Sequence, residues 1–236
     1  MELGQIVFVI PAYQAAASVG GVVRELLRVA PGARVLVVDD GSTDRTSEVA
    51  RAAGAEVLRH AVNLGKGAAL TMGLTAAAQR GARAAVSLDA DGQHLPHEAA
   101  RLAAHPAPPG ALVITVRDLA RAQAPGNARF SNALSNWFLS RAVGFELEDT
   151  QCGLRRYPLP ECLGLGVRAR GFEFESEILM RAAWMGLPIV QLPVEVYYPP
   201  PPLRVSHFHV VKDPARIIRR FLITWAETRR PRRERS

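Results

Sequence analysis

Cysteine is scarce in this 236-residue chain, which has Cys152 and Cys162 and no others. Two thiols are too few for a disulfide scaffold or a four-cysteine zinc site, and a reducing, cytosolic compartment is the expectation. Long hydrophobic runs are missing as well. Typical runs, such as those at 7–11 and 35–38, are strand-sized and fall far below the roughly 18 residues that cross a bilayer. The first residues lack a basic region leading into a long apolar stretch, so no cleaved secretory signal is expected. Lysine is nearly absent, with Lys66 and Lys212 the only two. The arginine excess follows genome composition as readily as phosphate recognition and decides nothing.

What is present is an ordinary globular balance, 48% hydrophobic and 22% charged, which argues against disorder. The net charge of 29 − 22 = +7 is concentrated at one end. Residues 212–236 hold nine basic side chains against Asp213, Glu227 and Glu234, a net of +6 that leaves the first 211 residues almost neutral. A uniformly basic nucleic-acid binder is not built this way, and no nucleic-acid partner is expected. A cationic tail on a neutral body fits contact with an anionic surface.

Short β-branched runs alternate with helical patterns. Strands are expected at 5–10, stopping at Pro11, and at 34–38, 56–59, 84–88, 112–116 and 188–196, the last interrupted by Pro193. Helices are expected at 18–29 with Ser18 as N-cap, from Thr43 or Asp44 through 53, and at 66–79, 127–143, 174–184 and 213–228. In the helix over 127–143, Phe130, Leu134, Trp137 and Phe138 form one face. The alternation implies a mostly parallel sheet covered on both sides, with no repeat and no clear linker.

Three groups of residues can carry chemistry. Asp39-Asp40-Gly41-Ser42-Thr43-Asp44 follows the second strand, and ligands of open α/β sheets lie outside the carboxyl ends of strands. Adjacent carboxylates there can accept hydrogen bonds from a base and a ribose; a plain turn and helix cap explains them equally well. Asp89-Ala90-Asp91-Gly92-Gln93-His94 follows the fourth strand, and on extended backbone residues 89, 91 and 93 point the same way. Two carboxylates and an amide oxygen suit Mg²⁺ or Mn²⁺ that also contacts a diphosphate. An EF-hand loop is excluded, because His94 and Ala100 stand where it needs glycine and glutamate. Gly65-Lys66-Gly67 fails as a P-loop, with His60 and Gly67 at the decisive positions, and as a dinucleotide fingerprint, with Leu70 in place of the last glycine. Finally, Arg117 follows the fifth strand, Arg129, Asn132 and Asn136 share a helix face, and Arg204, Ser206, His207, His209 and Lys212 follow a proline run. Arginine binds phosphate bidentately and histidine serves metals or phosphate, although exposed arginines are most often simply solvated.

The order of these motifs resembles the family 2 glycosyltransferases of GT-A fold, and within them the polyprenol- or dolichol-phosphate mannosyl- and glucosyltransferases. The resemblance rests on Ile10-Pro11-Ala12-Tyr13, Val37-Val38-Asp39-Asp40-Gly41-Ser42-Thr43-Asp44, Asn63-Leu64-Gly65-Lys66-Gly67-Ala68-Ala69 and Leu88-Asp89-Ala90-Asp91-Gly92-Gln93-His94. It continues through Asp149-Thr150-Gln151-Cys152-Gly153-Leu154-Arg155 and Gly171-Phe172-Glu173-Phe174-Glu175. It implies a Rossmann-like three-layer α/β/α sandwich over 1–211 with an elaborated C-terminal part, and an amphipathic helix and basic tail over 212–236, part of that domain or appended to it.

The resemblance also implies roles. Pro11, Tyr13, Val38, Asp39, Asp40, Lys66, Asp89, Ala90 and Asp91 would hold the nucleotide sugar. Asp89, Asp91 and Gln93 would hold Mg²⁺ or Mn²⁺. Asp91, Arg117 and Glu175 would be catalytic, and Arg117, Arg129, Arg204 and Lys212 would meet the acceptor phosphate. The family's acidic residue just after the position of Gln14 is here Ala15, and its basic loop after the proline run is replaced by Arg204-Val205-Ser206-His207-Phe208-His209.

The expected reaction is inverting transfer of a hexose from a donor of GDP-mannose or UDP-glucose type. The acceptor would be a polyprenyl phosphate, at the cytoplasmic face of an anionic membrane to which the protein binds peripherally. A lipid-phosphate acceptor is already anionic and needs positioning more than a base. A hydroxyl of another lipid or glycan would need one, for which Glu175 or Asp149 are the candidates. A non-catalytic nucleotide-sugar-binding protein is the other alternative. A sugar-1-phosphate nucleotidyltransferase needs a glycine-rich basic loop after the first strand, which 11–20 lacks.

Overall fold

The computed structural model describes residues 3–108, 110–197, 220, 223 and 224. After a turn of 3-10 helix, the order is β1 (Ile6–Ala12), α1 (Val19–Val29), β2 (Arg34–Asp39), α2 (Thr46–Ala52), β3 (Glu56–Arg59), α3 (Lys66–Gln79) and β4 (Ala84–Ser87). There follow α4 (Pro96–Ala104), β5 (Leu112–Arg117), α5 (Gly126–Val143), β6 (Arg155–Pro158), α6 (Leu159–Gly164), α7 (Phe174–Trp184) and β7 (Ile189–Val194).

The strands form one seven-stranded sheet in the order β3-β2-β1-β4-β6-β5-β7. All pairings are parallel except those of β6, which runs antiparallel to both β4 and β5. Alternation along β1 divides the core. Ile6, Phe8 and Ile10 face the layer of α1, α2 and α4, whereas Val7 and Val9 face that of α3, α6 and α7. The expected three-layer sandwich is therefore present.

Sequence and structure part at definite places. β1 continues through Pro11, because β4 pairs only with Ile6 to Val9 and the missing proline N–H lies past the end of that ladder. Ser18 precedes α1 but its side chain caps nothing, and Arg45 rather than Thr43 or Asp44 is the residue before α2. Asp44 instead accepts the N–H groups of Thr46 (3.0 Å) and Ala16 (3.1 Å), tying two loops together. β6, with sequence Arg-Arg-Tyr-Pro, has only Tyr157 as a strand-favouring residue and no apolar alternation. It is buried because Arg155 and Arg156 find carbonyls: Arg156 Nη1 donates to His105 O (2.6 Å) just beyond the end of α4.

α5 turns most of its apolar face outward. Of the face formed by Phe130, Leu134, Trp137 and Phe138, the first three are 72%, 46% and 57% exposed, whereas Phe138 is half-buried against the core. The buried side holds Ser131, Asn132, Ser135 and Leu139, and Ser135 Oγ meets Thr150 Oγ1 at 2.9 Å. The helix packs a polar face because its neighbour is a polar loop.

The expected helix over 213–228 lies outside the described residues apart from Arg220, Ile223 and Thr224, which are helical. Arg220 Nε and Nη2 donate to Glu177 of α7 at 2.6 and 2.8 Å, and Thr224 is buried. Arg220 and Thr224 thus pack on the body.

Candidate active site

The carboxyl ends of β1, β2, β4 and β5 meet at one edge of the sheet, and the acidic motifs leave from there. Asp39 closes β2 with no exposure at all. Its carboxylate accepts the Ser42 N–H (2.9 Å) and the Ser47 hydroxyl, with Arg59 Nη1 at 3.6 Å. Asp40 accepts the N–H groups of Leu64 (3.0 Å) and Gly65 (2.7 Å), and His60 Nδ1 lies 2.6 Å from it. Both carboxylates thus shape the loops that lead into α2 and α3. Pro11 and Val38 are register partners on adjacent strands, with Tyr13 more than a third exposed beyond them.

At the centre, Lys66, the first residue of α3, extends its ammonium between two carboxylates from distant segments. Nζ is 2.7 Å from Asp89 Oδ1 and 2.9 Å from Glu175 Oε1, with the Phe172 ring 5.7 Å away. Burial opposes the charge on Lys66, but Asp89 and then Glu175 outweigh it and raise its pKa. Burial would likewise raise the Asp89 carboxyl, yet Lys66 and then His94 hold it at about 2. Gly153 makes this contact possible: a Cβ there would lie 2.8 Å from both Lys66 Nζ and Asp89 Oδ2.

The loop after β4 folds back on itself. His94 is buried, and its Nδ1 accepts the Asp89 N–H at 3.2 Å and lies 3.6 Å from Asp89 Oδ2. Its Nε2 faces Cys152 Sγ at 3.5 Å. Asp91 is exposed, with Oδ1 accepting the Gln93 N–H at 2.9 Å, while Ala90 is buried beneath it. Although Asp91 reaches the surface, the loop packed around its carboxyl removes part of its water, and this, followed by the neighbouring Asp89 charge, pushes the carboxyl up.

The third group centres on Asp149, which is fully buried. It receives Arg117 through Nε (2.6 Å) and Nη2 (3.0 Å), and accepts the N–H groups of Gln151 and Cys152, both at 3.1 Å. Beneath it, fully buried Arg155 donates to the carbonyls of Thr150 (2.7 Å), Cys152 (2.8 Å) and Glu175 (2.6 Å). One guanidinium thereby fixes the 149–153 loop against the start of α7.

This edge carries the motifs in the order a known family uses them. The sequence profile described as Glycosyl transferase family 2 matches residues 7–155, more than half of the chain. The chain is a family 2 glycosyltransferase. Among its relatives are the undecaprenyl-phosphate mannosyltransferase of Micrococcus luteus, 28% identical over 80% of this chain and 82% of that protein, and the polyprenol monophosphomannose synthase of Mycolicibacterium smegmatis, 27% identical over 79% and 75%. The fold is that of glucosyl-3-phosphoglycerate synthase from Mycobacterium tuberculosis, solved with Mn²⁺, uridine diphosphate and phosphoglyceric acid. That match has a TM-score of 0.71 at 22% identity, over 94% of this chain and 77% of the other.

In this glycosyltransferase the sequence-derived site divides. Lys66, Asp89 and Glu175 meet directly, with Asp91 and Gln93 on the same loop. Arg117 follows β5 and is engaged by Asp149. Arg129 is exposed on α5. Arg204, Lys212, His207 and His209 lie outside the described residues. Sequence reasoning missed His60, His94, Cys152 and the structural work of Gly153 and Arg155. His94, Cys152, Gly153 and Arg155 sit inside motifs quoted for the resemblance, but nothing in their spacing predicts contacts across the fold. Among the described residues no helix is long and apolar enough to cross a membrane.

Proposed function

We propose that this enzyme moves a hexose from a nucleotide sugar of GDP-mannose or UDP-glucose type to a polyprenyl phosphate at a membrane surface, with inversion at the anomeric carbon. The observation that carries the acceptor assignment is that both candidate bases already have cations. Glu175 is paired with Lys66 at 2.9 Å, and Asp149 with Arg117 through two hydrogen bonds. Both carboxylates are buried and turned onto their cations, so neither is presented to take a proton from an incoming hydroxyl, and an acceptor that arrives anionic is favoured. The names of the bacterial relatives support the same reading.

Asp89, Asp91 and the Gln93 amide would hold the divalent metal. The donor set fits: hard oxygens at a strand end suit Mg²⁺ or Mn²⁺, which commonly take one or two carboxylates and leave other positions to phosphate and water. When bound, the ion would offset the charge that builds on the departing nucleoside diphosphate.

The remaining work falls to the chain. Pro11, Tyr13 and Val38 would line the base and ribose, while Asp39 and Asp40 hold their loops in shape. Lys66 would face the diphosphate. Arg129, with Arg204 and Lys212 from the C-terminal segment, would attract the acceptor phosphate, and Arg117 would order the loop beside it. The exposed Phe130, Leu134 and Trp137 of α5, flanked by Arg129 and Arg141, supply an apolar and basic face of the kind that rests on anionic lipid.

The test is transfer from radiolabelled GDP-mannose and UDP-glucose, with Mn²⁺, to undecaprenyl phosphate, undecaprenol or phosphoglyceric acid. Labelled lipid from the phosphorylated polyprenol alone is the expected result. Transfer to the free alcohol at an equal rate overturns the acceptor assignment.

A further inference from the structure

The ammonium of Lys66 sits where it competes with any cation for Asp89. It is 2.7 Å from Asp89 Oδ1, and the lysine side chain is 16% exposed. On its other side Glu175, 5% exposed at the side chain, holds it at 2.9 Å. The cluster is closed by Gly153, where an added Cβ would touch Asp89 Oδ2 and Lys66 Nζ at 2.8 Å each. A divalent ion placed on Asp89 therefore meets a positive charge already seated on the same carboxylate. Like charges a few ångströms apart in a partly enclosed cleft oppose each other strongly. Lysine is a point charge on a flexible four-carbon stem, so it can exchange one anionic partner for another without moving the backbone. Glu175 cannot be left alone, since a buried carboxylate without its cation is costly. The lysine is thus tethered on one side and exchangeable on the other.

We propose that Lys66 pivots on Glu175, holding Asp89 neutralised until a nucleoside diphosphate draws the ammonium away, so that the divalent metal enters with the donor and not ahead of it. This rests on Asp89 and Asp91 being the metal ligands. The diphosphate gives Lys66 a replacement anion, uncovers the Asp89 oxygen, and brings oxygen ligands of its own for the metal. Metal and donor binding become mutually reinforcing, a coupling that runs through one side chain.

The test follows Mn²⁺ directly, by electron paramagnetic resonance, on wild type, Lys66→Met and Asp91→Asn, each alone and with GDP or UDP, after subtraction of the Mn²⁺–nucleotide chelate. Lys66→Met alone is expected to bind Mn²⁺ about tenfold more tightly than wild type alone, from loss of the competing charge. The nucleotide should tighten Mn²⁺ binding strongly in wild type and much less in Lys66→Met. A second arm needs no variant. The chain has two lysines, so a ¹⁵Nζ-lysine label resolves the Lys66 ammonium. Its signal should move when Mg²⁺ and GDP or UDP are added together and stay in place with Mg²⁺ alone. Equal Mn²⁺ affinity in wild type and Lys66→Met, or a Lys66 signal unmoved by nucleotide and metal, overturns the pivot while the metal ligands stand. Mn²⁺ binding that is the same in wild type and Asp91→Asn under every condition overturns the ligand assignment and the pivot with it.

Discussion

Arg117 grips Asp149 with two arms of its guanidinium, Nε to Oδ2 at 2.6 Å and Nη2 to Oδ1 at 3.0 Å, and its backbone N–H reaches Oδ2 at 3.2 Å. The pair locks the end of β5 to the 149–153 loop, whose N–H groups close on the same carboxylate. Removing one partner of a buried ion pair leaves the other uncompensated, at a cost of about 3 kcal/mol. Asp149→Ala should therefore lower unfolding stability by about that amount in urea titrations. Lysine cannot reproduce the two-armed geometry, so Arg117→Lys should be destabilising as well. A neutral Asp149→Ala result would mean that the loop is held by other contacts.

Arg129 stands in contrast. It is exposed on α5, and exposed substitutions usually change stability by less than about 0.5 kcal/mol. Arg129→Ala is expected to unfold like wild type, to leave the KM for donor unchanged, and to raise the KM for lipid phosphate about tenfold, the scale of one charge-assisted contact. A donor KM that rises instead would place this arginine on the other substrate.

Gly153→Ala tests how tightly the Lys66–Asp89 contact is enclosed. The added methyl would lie 2.8 Å from Lys66 Nζ and Asp89 Oδ2, and 3.0 Å from Asp89 Oδ1. Lys66 or Asp89 must then shift. Overpacking of this kind costs about 1–3 kcal/mol, and turnover should fall at least about tenfold, since the displaced groups are those proposed to meet metal and diphosphate. Wild-type activity in this variant would remove Lys66 and Asp89 from the working centre.

The parts of this fold most legible in the sequence are those whose local composition settles the element. α3 spans its alanine-rich run, α7 its run of helix formers, and β3 its short one. The failures share a cause. β6 is a strand of Arg-Arg-Tyr-Pro whose burial depends on carbonyls supplied by α4, α7 and the 149–153 loop, partners far along the chain. Only Phe138 of the apolar face of α5 meets the core, because apolar spacing finds a face but cannot say how far it turns inward. In the site, acidic motifs at strand ends were readable from residue type. That Asp39 and Asp40 are enclosed by their own loops, and that Lys66 bridges Asp89 to Glu175, depends on how separate segments meet.

The turned-out face of α5 makes its own prediction. Phe130 and Trp137 are 72% and 57% exposed, and Arg141 lies 4.9 Å from the Trp137 ring centre. Changing both aromatics to serine removes little packing, so thermal unfolding should stay close to wild type. Binding to vesicles containing anionic lipid should weaken, because interfacial attachment scales with buried apolar area. Unchanged vesicle binding would assign the lipid contact to another surface.

Asp89 and Asp91, one residue apart, should carry opposite signs in the pH dependence of stability. Lys66 and His94 overcome burial to hold Asp89 at about 2, below the roughly 3.9 of an unfolded aspartate. Its contribution is therefore present above about pH 4 and is lost as pH falls toward 2. Asp91 is pushed up by lost hydration and by Asp89, so the folded protein holds that proton longer than the unfolded chain. Stability from Asp91 then falls as pH rises past about 3.9, by a small amount because Asp91 is exposed and its charge is screened. Asp89→Asn should lower the melting temperature at pH 7 and Asp91→Asn should raise it, with both differences narrowing by pH 3. Asp91→Asn should also lose metal-dependent turnover, so that a more stable protein is a dead one. Loss of stability in both variants at pH 7 would show that Asp91 is a structural carboxylate and not one held charged for a ligand.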